Sequence, residues 1–147
     1  MKPEDVILHP DKGAGNIKFG ESIESHVRRL RLQPMASTVS DGDRWFESNT
    51  LGLTIYDDDP DEPGIDTIHC HKFLFFEREN LIGMHINDFA AHIAAWPDLG
   101  ATDFIELATG ERQFVYEFDS LGLQVWVNEG DKLVDTIIVG RIYDDDA

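Results

Sequence analysis

One cysteine, Cys70, stands in 147 residues, so no disulfide can close within the chain and nothing points to an oxidising compartment. Basic residues are scarce as well: 12 Lys and Arg face 29 Asp and Glu, for a formal net charge of −17. A field of that sign repels nucleic acid and anionic membranes and speeds encounter with basic surfaces. No apolar run reaches the length of a membrane span, and Met1–Asp5 lacks the apolar core of a secretory signal. The expectation is a soluble, cytoplasmic protein. Catalytic signatures are missing too. Gly13-Ala14-Gly15 is not followed by the Gly-Lys-Ser/Thr ending of a phosphate loop, and the segment reads as a flexible loop. No Gly-x-Ser-x-Gly elbow occurs. The acidic run from Asp57 to Gly64 does not reproduce the ligand order of a calcium loop. Neither a cofactor nor a metal is expected, and the chain does not read as an enzyme.

What is present is an ordinary globular composition, 41% hydrophobic and 28% charged. A chain of this size buries roughly two-thirds of the surface its unfolded form exposes, so one domain needs no metal or disulfide to hold it. The acidity is spread over both halves. Residues 1–79 carry 9 basic and 16 acidic groups, and residues 80–147 carry 3 and 13.

The chain repeats itself. Leu51-Gly52-Leu53-Thr54-Ile55-Tyr56 returns seventy positions later as Leu121-Gly122-Leu123-Gln124-Val125-Trp126. Trp45-Phe46-Glu47 precedes the first copy as Val115-Tyr116-Glu117 precedes the second, and Asp66-Thr67-Ile68 follows as Asp135-Thr136-Ile137 does. Each unit opens on a glycine and a helix. Ile23, Val27 and Leu30 make the first apolar stripe, with Ser22 placed to cap it and Pro34 to stop it. Phe89, Ile93 and Trp96 make the second, ended by Pro97. Three strands then follow: Arg44–Ser48, Leu51–Tyr56 and Ile65–His71 in unit one, and Gln113–Phe118, Leu121–Val127 and Leu133–Ile142 in unit two. Phe73–Phe76 supplies a further strand to the first unit. The offset of 63 at the helices and 70 at the strands places an insertion around Asp98–Glu111. The expected fold is α+β: two tandem helix-plus-antiparallel-meander repeats, about 17–79 and about 80–142, forming one curved sheet with helices on one face.

This order, a glycine leading into a helix, a variable loop and a meander with a Leu-Gly-Leu-x-Val-aromatic strand, all duplicated, resembles the tandem-repeat architecture of the beta-lactamase inhibitor protein. Its single-unit relatives include the BamE-type outer-membrane assembly lipoproteins. The chain lacks the paired cysteines of the secreted inhibitor and a lipid-bearing cysteine near its start. The resemblance implies a sheet with helices on one face and the opposite face available to a protein partner.

Strand alternation assigns the faces, because successive side chains point opposite ways. Leu51, Leu53 and Ile55, with Leu121, Leu123, Val125 and Val127, face the helices. Phe46, Phe114, Tyr116 and Phe118 join them, as do Ile68, Cys70, Ile137 and Val139. The other face then carries Trp45, Glu47, Tyr56, His69, His71, Val115, Glu117 and Trp126, extended by the acidic loop residues Asp57, Asp58, Asp59, Asp61 and Glu62. Aromatic anchors in an acidic surround suit a basic protein partner. The reading is an immunity protein or inhibitor of bacterial type that neutralises a toxin or nuclease by occlusion. His69 and His71 stand two apart, so with Glu47 they define an alternative, a metal-dependent enzyme. A subunit that self-associates as a homodimer is the third reading. Arg28, Arg29 and Arg31 are too few to turn −17 into a nucleic-acid surface. His26, His85 and His92 read as surface or partly packed residues.

Overall fold

Strands form where β-branched and aromatic residues cluster, and helices where apolar residues recur at three and four positions. The computed structural model of the protein describes residues 1–34, 44–57, 64–95, 97 and 101–142. Three short strands come first: β1 (Leu8–His9), β2 (Gly13–Ala14) and β3 (Ile17–Lys18). Helix α1 (Glu24–Leu30) leads to β4 (Gln33–Pro34), β5 (Arg44–Ser48), β6 (Leu53–Asp57) and β7 (Thr67–Cys70). A hairpin of β8 (Phe75–Phe76) and β9 (Glu79–Asn80) precedes helix α2 (Ile86–Ile93). The chain ends in β10 (Ala101–Glu106), β11 (Arg112–Phe118), β12 (Leu123–Asn128) and β13 (Val134–Gly140).

The main sheet runs β10-β11-β12-β13-β7-β6-β5-β4, with neighbours antiparallel throughout. Seven strands of four or more residues make its body, and two-residue β4 closes one edge. The β1-β2-β3 meander and the β8-β9 hairpin are separate small sheets. The α+β class and the antiparallel sheet expected from the sequence are therefore present.

One hydrophobic cluster joins the sheet to what covers it. Leu53, Ile55, Ile68, Cys70, Leu123, Val125, Val127, Ile137 and Val139 present a buried face. Against it lie Leu30 of α1, Ile86, Phe89 and Ile93 of α2, and Val6, Leu8, Ala14 and Ile17 of the amino-terminal segment. The alternation of β12 is complete, from Leu123 buried to Asn128 half-buried, as the period-two reading requires. No helix among the described residues is long and apolar enough to cross a membrane.

Several local expectations change. Residues 11–16 are not a loose loop: Gly13 pairs with His9 and Lys18. Gly13 stands at φ 139°, and a Cβ there would lie 2.0 Å from the Ile17 carbonyl oxygen, so glycine is required by the hairpin crossing and not by mobility. Leu51-Gly52 and Leu121-Gly122 belong to turns, with β6 and β12 starting only at Leu53 and Leu123. Both glycines are left-handed, at φ 64° and 68°, which an extended strand cannot contain. The presumed insertion at 98–111 holds edge strand β10, bulged between Ala101 and Asp103. Both helices end three residues ahead of their prolines, at left-handed Arg31 and Ala94. Trp96 and the tail from Tyr143 lie outside the described residues.

Phe73–Phe76 does not extend the main sheet. Phe75 and Phe76 pair with Asn80 and Glu79 across a two-residue turn, Glu77-Arg78, in which both residues have positive φ. Asn80 holds this hairpin in place. Its Oδ1 accepts from the Leu74 and Ile82 amides at 3.0 and 3.1 Å, and its Nδ2 donates to the Lys72 carbonyl at 3.0 Å. Asn80→Ala strips acceptors from two part-buried amides and is expected to cost about 1–3 kcal/mol in urea unfolding. An unchanged midpoint would mean that water replaces the side chain.

Candidate partner-binding face

The register places the side chains opposite the core in rows across the sheet. Trp45 of β5 lies beside Tyr56 of β6, which pairs with Thr67 of β7. The next row runs Glu47, Thr54, His69, Ile138, Gln124 and Glu117. Trp126 pairs with Thr136 on β13 and with Val115 on β11. The partial exposure of Trp45, Glu47, Tyr56, Asp57, His69, Glu117 and Trp126, and the open position of His71, agree with the alternation reading. Val115 is a departure: its register is on this face, yet it is buried. Val115 stands directly across the β11–β12 pair from Trp126. Asp58, Asp59, Asp61 and Glu62 lie outside the described residues.

The aromatic residues form a continuous run. Trp45 meets Tyr56 edge-on at 5.1 Å, Tyr56 meets His69 at 4.5 Å, and His69 meets His71 at 6.2 Å between centroids. Edge-to-face geometry places ring hydrogens against a neighbouring π-face, which favours a rigid platform. The Trp45 Nε1 is closed off from water and has no acceptor among the described residues.

Two polar chains fix the rest of the surface. Trp126 Nε1 donates to Gln124 Oε1 at 3.3 Å, and Gln124 Nε2 donates to Glu117 Oε1 at 2.9 Å. The second chain is built around a bulge. Trp126 pairs with Thr136 while Val127 pairs with Val134, so Asp135 is an extra residue pushed to the surface. Its Oδ2 accepts from Thr136 Oγ1 at 3.0 Å. Thr136 Oγ1 can then accept from His71 Nδ1 at 3.3 Å, leaving His71 Nε2 facing the Thr54 hydroxyl at 3.5 Å. These partners select the tautomer with the proton on Nδ1.

Both imidazoles are held towards the neutral form. Burial, reinforced by the neighbouring His71, lowers His69 to about 4. Partial loss of water around its otherwise open ring also lowers His71, opposed by the negative charges of Asp135 and Glu47. Between them, Cys70 faces the core and is fully buried, and burial pushes its thiol up to about 12. A thiol held protonated in this way is no nucleophile at neutral pH. Among the described residues no group of three or more His, Cys, Asp and Glu is arranged to hold a metal ion, so Glu47, His69 and His71 do not assemble as a ligand set there.

Away from this face, His26 departs from the reading as a surface or partly packed residue, whereas half-buried His85 fits it. His26 is buried in α1, where one ring nitrogen meets Glu21 Oε1 at 3.1 Å and the other is hydrogen-bonded by the Arg29 guanidinium. Arg29 also donates to Asn16 Oδ1 at 3.0 Å. One member of the helical arginine cluster is thus a tie between α1 and the amino-terminal meander. Burial works against the Glu21 carboxylate, but hydrogen bonds from the Lys18 amide and His26 outweigh it and hold Glu21 below its usual value. His85 caps α2, its Nδ1 accepting from the Asn87 amide at 3.1 Å.

The alternation pattern identified Trp45, Tyr56, His69 and Trp126 as outward residues. It missed Asp135, Thr136 and Ile138, because the bulge that offsets β13 leaves no mark in the local pattern. Comparison with known proteins finds no family model, no characterised sequence and no solved structure that matches the chain.

Proposed function

We propose that the protein is a small acidic binding protein whose outer sheet face occupies a basic protein partner, as an immunity protein or inhibitor of a toxin or nuclease would. The observation that carries this reading is the aromatic run Trp45–Tyr56–His69–His71 with Trp126 beyond β13. It lies on a face with no Lys or Arg at the outward register positions of β5–β7 and β11–β13. Clustered aromatic rings contribute most of the binding energy because they bury large area at little cost in side-chain entropy. The surrounding carboxylates compete for the cationic groups with which the partner would hold its substrate, and the net charge of −17 speeds encounter.

The tandem organisation, and with it the likeness to the beta-lactamase inhibitor protein, is part of the same proposal. It draws support from matched details of backbone geometry. Gly20 and Gly83 have φ 87° and 92°, Gly52 and Gly122 have 64° and 68°, and the helix-ending Arg31 and Ala94 have 53° and 55°. Gly20 donates to the Ile65 carbonyl and receives Ile65 back on Glu21; Gly83 donates to Val134 and receives Val134 back on Met84. A duplication would place the two units' β7 and β13 side by side at the centre of the sheet, an arrangement in keeping with the strand order.

The test uses the product of the adjacent reading frame as the candidate partner, with surface plasmon resonance as the readout. Association is expected to slow by about tenfold or more between 50 and 500 mM salt, roughly the range over which screening collapses to a few ångströms. Tyr56→Ala with Trp126→Ala should raise the dissociation rate by about a hundredfold, the size expected of two central anchors. Cooperative unfolding should survive, since both rings are half-exposed. Binding that ignores both salt and the double variant would sink the proposal, and a mass that doubles with concentration would point to self-association through this face.

A further inference from the structure

A second site lies away from the partner face, where the amino-terminal meander meets the end of β13. A cavity of about 630 Å³ opens there, bordered by His9, Lys12, Lys18, Phe19, Arg141 and Ile142. Its volume is in the range that takes a small organic molecule. The charge of its wall runs against that of the chain. Three of the 12 Lys and Arg of a protein with net charge −17 converge on this one opening. Only one carboxylate, Asp11, shares the lining, and its Oδ1 is already engaged by the Ile142 amide at 2.8 Å.

So strong an excess of carboxylates would be expected to neutralise its own cations. Among the described residues, however, the ammonium groups of Lys12 and Lys18 have no carboxylate within 4.0 Å and donate no hydrogen bond. The Glu21 carboxylate accepts from the Lys18 backbone amide at 2.8 Å, and it feels the Lys18 ammonium only as a through-space charge. The wall between these cations is apolar. Ile142 is 40% exposed, one of two large hydrophobics so exposed among the described residues, and the Phe19 ring is half-buried beside it. The mouth is tied across by the Phe19 amide, which donates to the Lys12 carbonyl at 2.9 Å, and Gly13 passes so close to Ile17 that a Cβ there would lie 2.0 Å from its carbonyl oxygen. Two ammonium groups without a partner among the described residues, a guanidinium and an imidazole around an exposed apolar wall make a holder for a charged head on an apolar body.

We propose that this cavity binds a small organic anion, with a phosphate or carboxylate head on Lys12 and Lys18 and an aromatic or aliphatic body against Phe19 and Ile142. Binding here does not depend on the partner face. The test is a titration of ¹⁵N-labelled protein with phenyl phosphate at constant ionic strength, followed by amide shifts. Saturable shifts are expected at Lys12, Lys18, Phe19 and Ile142. Inorganic phosphate should move the same amides with weaker affinity, because it lacks the apolar body. Benzyl alcohol should bind more weakly than phenyl phosphate, because it lacks the charge. A carboxylate arm with phenylacetate shows which head is preferred. Lys12→Glu and Lys18→Glu should each weaken phenyl phosphate about tenfold, the effect of removing one charge-assisted contact. Lys2→Glu, with the same charge change outside the cavity, should leave binding unaltered. Lys12→Gln and Lys18→Gln serve if a glutamate variant loses its dispersed spectrum. Shifts that fail to saturate, that follow lysines all over the surface, or that persist in the Lys12 and Lys18 variants would overturn the site.

Discussion

Phe89→Ala is expected to remove about 3–5 kcal/mol of folding free energy, the largest loss of any single substitution considered for this chain. Phe89 and Phe118 are among the largest fully buried side chains, and their rings meet at 5.3 Å with an interplanar angle of 68°. Phe89 belongs to α2 and Phe118 ends β11, so this contact pins the second helix to the sheet. Alanine leaves a ring-sized void that a sheet on one side and a short helix on the other cannot close. Because domains are stable by only about 5–15 kcal/mol, the loss takes a large share of the total. In thermal unfolding it corresponds to a fall of about 10 °C or more for a chain of this length. A double-mutant cycle with Phe118→Ala should return a coupling of about 0.5–1.5 kcal/mol, the part owed to ring geometry as distinct from buried area. A loss below about 1 kcal/mol for Phe89→Ala would contradict the placement of α2 on the buried face.

The second large effect is a dependence of stability on pH carried by His69. In the folded protein His69 is lowered to about 4 from an ordinary value of 6.5, by burial first and by His71 second. Above pH 6.5 neither the folded nor the unfolded chain binds this proton, so the folded state carries no penalty. Between 6.5 and about 4 the unfolded chain takes up a proton that the folded chain refuses, and stability falls as pH falls. Below about 4 both states are protonated and the loss stops growing. The full effect is on the order of 2 kcal/mol after allowance for partial solvent access at the site. His71, lowered by burial against the pull of Asp135 and Glu47, acts in the same direction.

Carboxylates also titrate in this window, so the informative quantity is a difference. His69→Gln should flatten the loss between pH 7 and 4.5 in urea unfolding by most of one proton's worth, about 1 kcal/mol per pH unit. Equal slopes for parent and variant would show that water reaches the imidazole freely. The same neutral imidazoles matter for the proposed binding face. Charging them at low pH would set cations among the aromatic anchors and weaken attraction for a basic partner.

How much of this could be read from the chain alone depends on how local each determinant is. The inward positions Leu53, Ile55, Leu123, Val125 and Val127 were legible because a strand's side chains alternate with a period of two. That period is set by the backbone of the strand itself. The helical stripe of Ile23, Val27 and Leu30, and Phe89 with Ile93 from the second, were legible for the same kind of reason. The turn at Leu-Gly was misread as strand, because the pattern does not reveal that Gly122 must pass close to the Gly140 carbonyl, 2.5 Å from where a Cβ would stand. Strand β10 and the amino-terminal meander were missed because their short segments gain their pairing from distant partners rather than from their own propensity.

The candidate site divides along the same line. The sequence by itself determined the charge of the molecule, the class of fold and the outward placement of Trp45, Tyr56, His69 and Trp126. These follow from composition and from periodicities that each segment carries alone. Only the tertiary structure decided that the Tyr56 and His69 rings meet, that the Asp135 bulge aims a carboxylate through Thr136 at His71, and that Lys12, Lys18 and Arg141 meet around one cavity. Those facts depend on which strands become neighbours and on residues up to 129 positions apart. Such contacts form only once the core has closed and brought remote segments together.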